Sequence, residues 1–116
     1  MSDCIFCKIV EGKIPSKKVY EDEDLLAFFD INPAAPVHVL VIPKQHVESL
    51  SDCKPEHAAM LGKLFGKLGE IAREQGLTDG FRTIVNTGRV GGQEVYHLHA
   101  HILGGPQPVG PMLVRR

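Results

Sequence analysis

The sequence predicts an α+β fold: a five-stranded antiparallel sheet with one long helix and a short N-terminal helix. Three observations carry this. Val37–Ile42 is an apolar run rich in β-branched residues, bounded by Pro36 and Pro43. From Pro55 to about Gln75, Leu61, Leu64, Phe65, Leu68, Ile71 and Ala72 recur at helical spacing on one stripe. Tyr96–Leu103 alternates His97, His99 and His101 with Leu98, Ala100 and Ile102, the two-residue period of a strand.

Taken in order, Cys4–Val10 places Ile5, Phe6, Ile9 and Val10 at near-helical spacing and stops at Gly12, predicting the short helix. Pro15 begins an extended stretch. Val19–Glu21 and Leu25–Asp30 read as two strands around the acidic turn Asp22–Asp24, and Asp30 leads into the Asn32-Pro33 turn. Val37–Ile42 is the third strand, with His38 its polar interruption. Pro55 suits the first turn of the long helix, and Gly76 suits its end. Phe81–Asn86 and Tyr96–Leu103 are the last two strands, joined by the loop Thr87–Glu94. Gly104 and Gly105 allow another segment close to the end of the last strand.

The 116 residues fit one domain, 1–116, in which the Pro/Gly-rich residues 105–116 form an extended tail. A core of this size gains from oligomerisation. Thirteen basic and fourteen acidic side chains leave a formal charge of −1, so nothing in the overall charge favours nucleic acid. No apolar run approaches the roughly 20 residues that span a bilayer, and Met1–Val10 lacks the blocks of a signal peptide. The expectation is a cytoplasmic protein with no membrane or nucleic-acid partner. Three cysteines do not build a disulfide framework, and Cys4-x-x-Cys7 in a reducing compartment suggests metal or redox chemistry.

If Tyr96–Leu103 is a strand, its three histidines share one face, about 6.5–7 Å apart. That spacing suits a single phosphate-sized or metal-sized object. Three readings remain open: a solvated strand face, a three-histidine metal tripod, and a nucleophilic and general-acid cluster.

His97-Leu-His-Ala-His-Ile resembles the signature of the histidine triad (HIT) superfamily. Asn86-Thr-Gly-Arg-Val-Gly-Gly-Gln-Glu-Val-Tyr leads into it, with Phe29-Asp-Ile-Asn-Pro33 and Pro36-Val-His-Val-Leu-Val-Ile-Pro-Lys44 upstream. Together they resemble the bacterial-type nucleotide-binding branch from end to end. The Leu103-Gly104-Gly105 ending is similar to that branch rather than to the dinucleoside polyphosphate hydrolases. The resemblance implies a homodimer with a continuous sheet, a purine nucleotide pocket, and hydrolysis through a nucleotidyl-histidine intermediate.

Carried over by position, the resemblance makes His99 the nucleophile on the α-phosphorus, His101 the contact to phosphate and leaving group, and His38 the completion of the proton network. Asp30 would bind the ribose hydroxyls; its alternative is a turn-capping acid. Asn86 and Gln93 would supply amide donors, and Gly92 with its neighbours backbone N–H groups. Ile5, Phe6, Ile9, Phe28, Ile31 and Leu40 would make the apolar base pocket. Glu94 stands where some relatives have serine, so its side chain is expected to turn from the phosphate while its N–H stays available. Cys4, Cys7, His46 and His97 would form a closed, structural Zn2+ site, which competes with the metal tripod for His97. Cys53 and His57 are read as surface or boundary residues without a role. Val109–Arg116 would shape the mouth of the partner's site. The implied activity is cleavage of the P–N bond of purine nucleoside phosphoramidates; the alternatives are a dinucleoside polyphosphate hydrolase and a nucleotide-binding or scaffold protein.

Overall fold

The computed structural model describes residues 3–113. Its elements are α1 (Ile5–Val10), β1 (Lys18–Glu21), β2 (Leu25–Phe29), β3 (Val37–Pro43), α2 (Ala58–Glu74), β4 (Arg82–Ile84), α3 (Gly88–Gly91) and β5 (Ala100–Gly104). The strands form one antiparallel sheet in the order β1-β2-β3-β5-β4. No helix among the described residues is long and apolar enough to cross a membrane.

The central strands read as continuous apolar runs because both faces of the sheet are covered. On one face Leu25, Ala27, Val39, Val41, Ala100 and Ile102 pack against Leu64, Leu68, Ile71 and Ala72 of α2. On the other, Leu26, Phe28, Leu40 and Ile42 pack against Phe6 and Ile9 of α1. Cross-strand partners share a face. The pairings Phe28↔Leu40 and Leu40↔His101 therefore place His101 on the α1 side.

Local chemistry explains the element ends. Cys4 is the N-cap of α1, its Sγ accepting from Cys7 N–H at 3.2 Å. Asp22 turns β1 into β2 by accepting from the Asp24 and Leu25 N–H groups, each at 2.8 Å. Past α2, the Gly76 N–H donates to Arg73 O and the Leu77 N–H to Ala72 O, with Gly76 at φ +85°, a left-handed helix stop.

The structure corrects several sequence expectations. β5 does not begin at Tyr96, because Pro43 offers no N–H to extend the ladder beyond Val41↔Ala100. The Leu98 N–H goes instead to Val47 O at 2.7 Å. β4 is confined to Arg82–Ile84, and the expected loop after Thr87 contains the one-turn α3. Pro55–His57 is a 3₁₀ turn ahead of α2. Phe65 lies off the buried stripe, 45% exposed. His57 is not at the surface: it is buried, and its Nδ1 accepts from the Lys54 N–H at 2.9 Å, capping the turn.

At the end of β5 a Cβ on Gly105 would stand 2.8 Å from Cγ of the Pro36 ring, and one on Gly104 2.8 Å from Cδ2 of Leu77. The proline ring is rigid, whereas the leucine can rotate. Gly105→Ala is therefore expected to destabilise by about 1–3 kcal/mol and Gly104→Ala by less, measured by urea unfolding. Equal costs would show that Pro36 does not constrain this approach.

Candidate active site and metal centre

Six histidines divide into three settings, and backbone groups decide which nitrogen each presents. His97 is fully buried. Its Nε2 lies 2.7 Å from Pro43 O, and because a carbonyl only accepts, Nε2 carries the proton and Nδ1 is bare. His99 Nδ1 lies 2.7 Å from His97 O, which by the same reasoning leaves its Nε2 bare. The His99 ring sits edge-on to Phe6, centroids 5.1 Å apart.

His38 is fixed from the other direction. The Ala34 N–H donates to its Nδ1 at 3.0 Å, so Nε2 holds the proton and donates to His101 Nδ1 at 2.9 Å. His101 is then left with its own proton on Nε2. Asp30 Oδ2 is 3.6 Å from His38 Nε2, while Oδ1 accepts from the Asn32 N–H at 2.7 Å. The turn-capping role considered for Asp30 is thus present, and its second oxygen faces the histidines. The His99 and His101 rings lie 5.0 Å apart, closer than strand spacing alone predicts, because the side chains lean together.

Burial pushes the His101 imidazole down to about 4, with the His99 and His38 charges adding to the effect and Asp30 opposing it. Burial likewise lowers His38, against the pull of Asp30. In the free protein both rings are neutral near pH 7.

His99 and His101 open onto a cleft of about 1050 Å³, while His38 lies buried behind His101 and does not line it. Ile5, Phe6, Ile9, Phe28 and Leu40 line its apolar part, with Asp30, Ile31, Asn86, Gly92, Glu94, His99 and His101. Ile31 is 92% exposed and forms rim rather than wall. Gln93 does not present its amide to this space. Its Oε1 accepts from the Gly88 N–H at 2.9 Å, and its Nε2 donates to Glu48 O at 2.7 Å and Val95 O at 3.0 Å. The Gly92 and Gln93 N–H groups are also taken, by Arg89 O and Gly88 O. The N–H groups of Gly88, Gly92 and Gln93 are thus all taken within the segment, and the Gln93 amide braces it. The cleft also includes Ile14, Pro15, Ser16, Lys17, Phe29 and Val95, which sequence reasoning missed. The segment from Ile14 to Lys17 had no periodicity to mark it, and only its position after α1 brings it here.

His97 turns away from His99 and His101 toward the N-terminus. Its Nδ1 is 3.3 Å from Cys4 Sγ, 3.5 Å from Cys7 Sγ and 3.2 Å from His46 Nδ1; Cys7 Sγ is 3.3 Å from His46 Nδ1. The four ligand atoms lie within 4.8 Å of one another. Metal–nitrogen bonds of about 2.0–2.1 Å and metal–sulfur bonds of about 2.3 Å in a tetrahedron give edges of about 3.3–3.8 Å, so the four residues fit a first-row ion such as zinc. The Nε2–H bond to Pro43 O also holds the His97 ring in the orientation a ligand requires. Without a cation, burial pushes the Cys7 thiol up to about 11, assisted by Cys4. The tripod reading fails because His97 lies in this second cluster.

The triad, the cleft and the sheet together define a HIT domain: that family's model matches residues 11–107, and the chain belongs to the family. It is 58% identical to Protein HitA of Neisseria gonorrhoeae over 106 residues, 91% of this chain and 99% of that protein. It is 46% identical to the purine nucleoside phosphoramidase of Escherichia coli K12 over 115 residues, 98% and 96% of the two chains. A HIT family hydrolase from Clostridium thermocellum superposes with a TM-score of 0.92 at 42% identity, covering 98% of this chain and 99% of that one.

Because the folded His101 binds its proton more weakly than the unfolded chain, its contribution to stability is complete above about pH 6.5 and is lost as pH falls toward about 4. His101→Gln is expected to flatten the decline of unfolding free energy with acidification in this window, by at most about 1.4 kcal/mol per pH unit. Urea titrations at several pH values check this. An unchanged slope would mean that His101 is not held neutral.

Proposed function

We propose that the chain hydrolyses purine nucleoside phosphoramidates to a nucleoside monophosphate and an amine. The observation that carries this reading is the bare His99 Nε2, fixed by the His97 carbonyl beside His101 at the end of an apolar cleft. The relative named purine nucleoside phosphoramidase supports the same activity.

The base would lie among Ile5, Phe6, Ile9, Phe28 and Leu40, with Ile31 at the rim, the ribose hydroxyls on Asp30, and the phosphoryl group against His99 and Asn86. Asp30 has lone pairs left after its bond to Asn32. His99 Nε2 bonds to the α-phosphorus as the P–N bond breaks, and His99 Nδ1–H, on its carbonyl, bears the developing positive charge. The phosphoryl anion counters the effect of burial on His101 and favours its imidazolium. That cation gives its Nε2 proton to the departing nitrogen and regains one from the water that releases the nucleotide from His99. A proton on His101 Nδ1 replaces the bond donated there by the His38 Nε2–H, so this 2.9 Å contact opens as the imidazolium forms.

Cys4, Cys7, His46 and His97 would hold Zn2+ as a structural ion joining α1 to the sheet. It would keep Phe6 and Ile9 over the cleft and His97 in place. We further infer a homodimer acting on purine nucleotides in the cytoplasm, with the tail from Val109 shaping the partner's mouth. Arg82 holds this tail by donating to Gly110 O at 2.7 Å and Pro111 O at 3.3 Å; residues 114–116 lie outside those described.

His99→Ala is expected to lower turnover of an adenosine phosphoramidate by at least about 10³-fold while AMP still binds, with a trapped AMP adduct on the parent only. Rapid quench, mass spectrometry and calorimetry read these quantities. A variant with undiminished turnover would displace His99, and AMP binding without turnover in the parent would favour a binding protein. For the metal, a chelator is expected to lower Tm before it affects the turnover of molecules still folded. Folded, inactive protein that recovers with zinc would instead make the ion catalytic.

A further inference from the structure

Glu94 occupies the wall between two spaces. It lines the main cleft with His99 and His101, and also an adjoining recess of about 530 Å³ that includes Glu48 and Tyr96. Its side chain is exposed and makes no ion pair among the described residues. The backbone around it is nevertheless held, because the Gln93 amide beside it binds Gly88, Glu48 and Val95. With the base at the apolar end and phosphorus at His99, a leaving group that extends past phosphorus can reach the wall that Glu94 forms in the same cleft as His99 and His101.

We propose that Glu94 selects leaving groups by charge, favouring amines that carry a second, positively charged group and opposing anionic ones. This rests on the phosphoramidase reading above and specifies its substrate class. A carboxylate near the path of the leaving group, carried on backbone that the Gln93 amide braces, attracts an ammonium and repels a phosphate chain. Because the carboxylate is open to solvent, salt weakens its effect. Among the described residues no lysine or arginine lines the adjoining recess, which Asp3 and Glu48 share with Glu94, while Lys17 is the one that lines the main cleft.

The test uses two adenosine phosphoramidates of equal length, one whose amine ends in trimethylammonium and one ending in the isosteric, neutral tert-butyl group. In the parent at low salt, kcat/KM for the cationic substrate is expected to exceed that for the neutral one by about three- to tenfold. The ratio should fall toward one in Glu94→Gln, in Glu94→Ser, and in the parent at high salt. Turnover of both substrates with the same ratio in parent and variants would overturn the assignment to Glu94 and leave the phosphoramidase reading intact. Turnover of neither substrate by the parent would overturn both.

Discussion

Two carbonyl oxygens govern the site. Pro43 O takes the Nε2 proton of His97, and His97 O takes the Nδ1 proton of His99. Each bond fixes a tautomer, and together they give neighbouring histidines opposite assignments: His97 presents Nδ1 to two thiols and His46, and His99 presents Nε2 to the cleft. A histidine free to exchange tautomers would divide its time between useful and useless forms. The buried backbone removes that freedom.

These bonds depend on the way the sheet ends. Pro43 closes β3, and its lack of an N–H stops the ladder with β5. The chain before Ala100 departs from strand pairing, so the Pro43 carbonyl is free for a side chain and His97 swings toward α1. The apolar layer of Phe6, Ile9, Leu26, Phe28, Leu40 and Ile42 then serves two ends: it packs α1 on the sheet and supplies much of the apolar wall of the cleft. With an ion bound, the Cys4–Cys7–His46–His97 cluster would fasten the same helix from its N-terminus. Stability on this face and the shape of the cleft are therefore coupled.

Much of this was legible in the sequence. The Pro-bounded run of β3, the period of α2 and the alternating histidines specified an α+β fold with an antiparallel sheet, since each pattern reports which faces are buried. The Cys-x-x-Cys motif and the histidines, read with the family resemblance, led to the cluster that the structure assembles. What failed has a common cause: periodicity says which side a residue faces, but not where its hydrogen bonds go. Alternation through Tyr96–His99 looked like strand, although the missing donor of Pro43 ended the pairing. Gln93 looked like a ligand donor, although its amide braces its own loop. His57 had no pattern at all, and its capping role depends on a single bond to the Lys54 N–H.

The most direct test of this account is long-range ¹⁵N–¹H NMR of the imidazole nitrogens in zinc-loaded protein without nucleotide, near pH 7. The account predicts His99 as the Nδ1–H tautomer with an unprotonated, uncoordinated Nε2, and His97 as the Nε2–H tautomer with a metal-shifted Nδ1. A His99 ring that averages between tautomers, or that carries its proton on Nε2, would contradict the claim that backbone carbonyls set the roles of the triad.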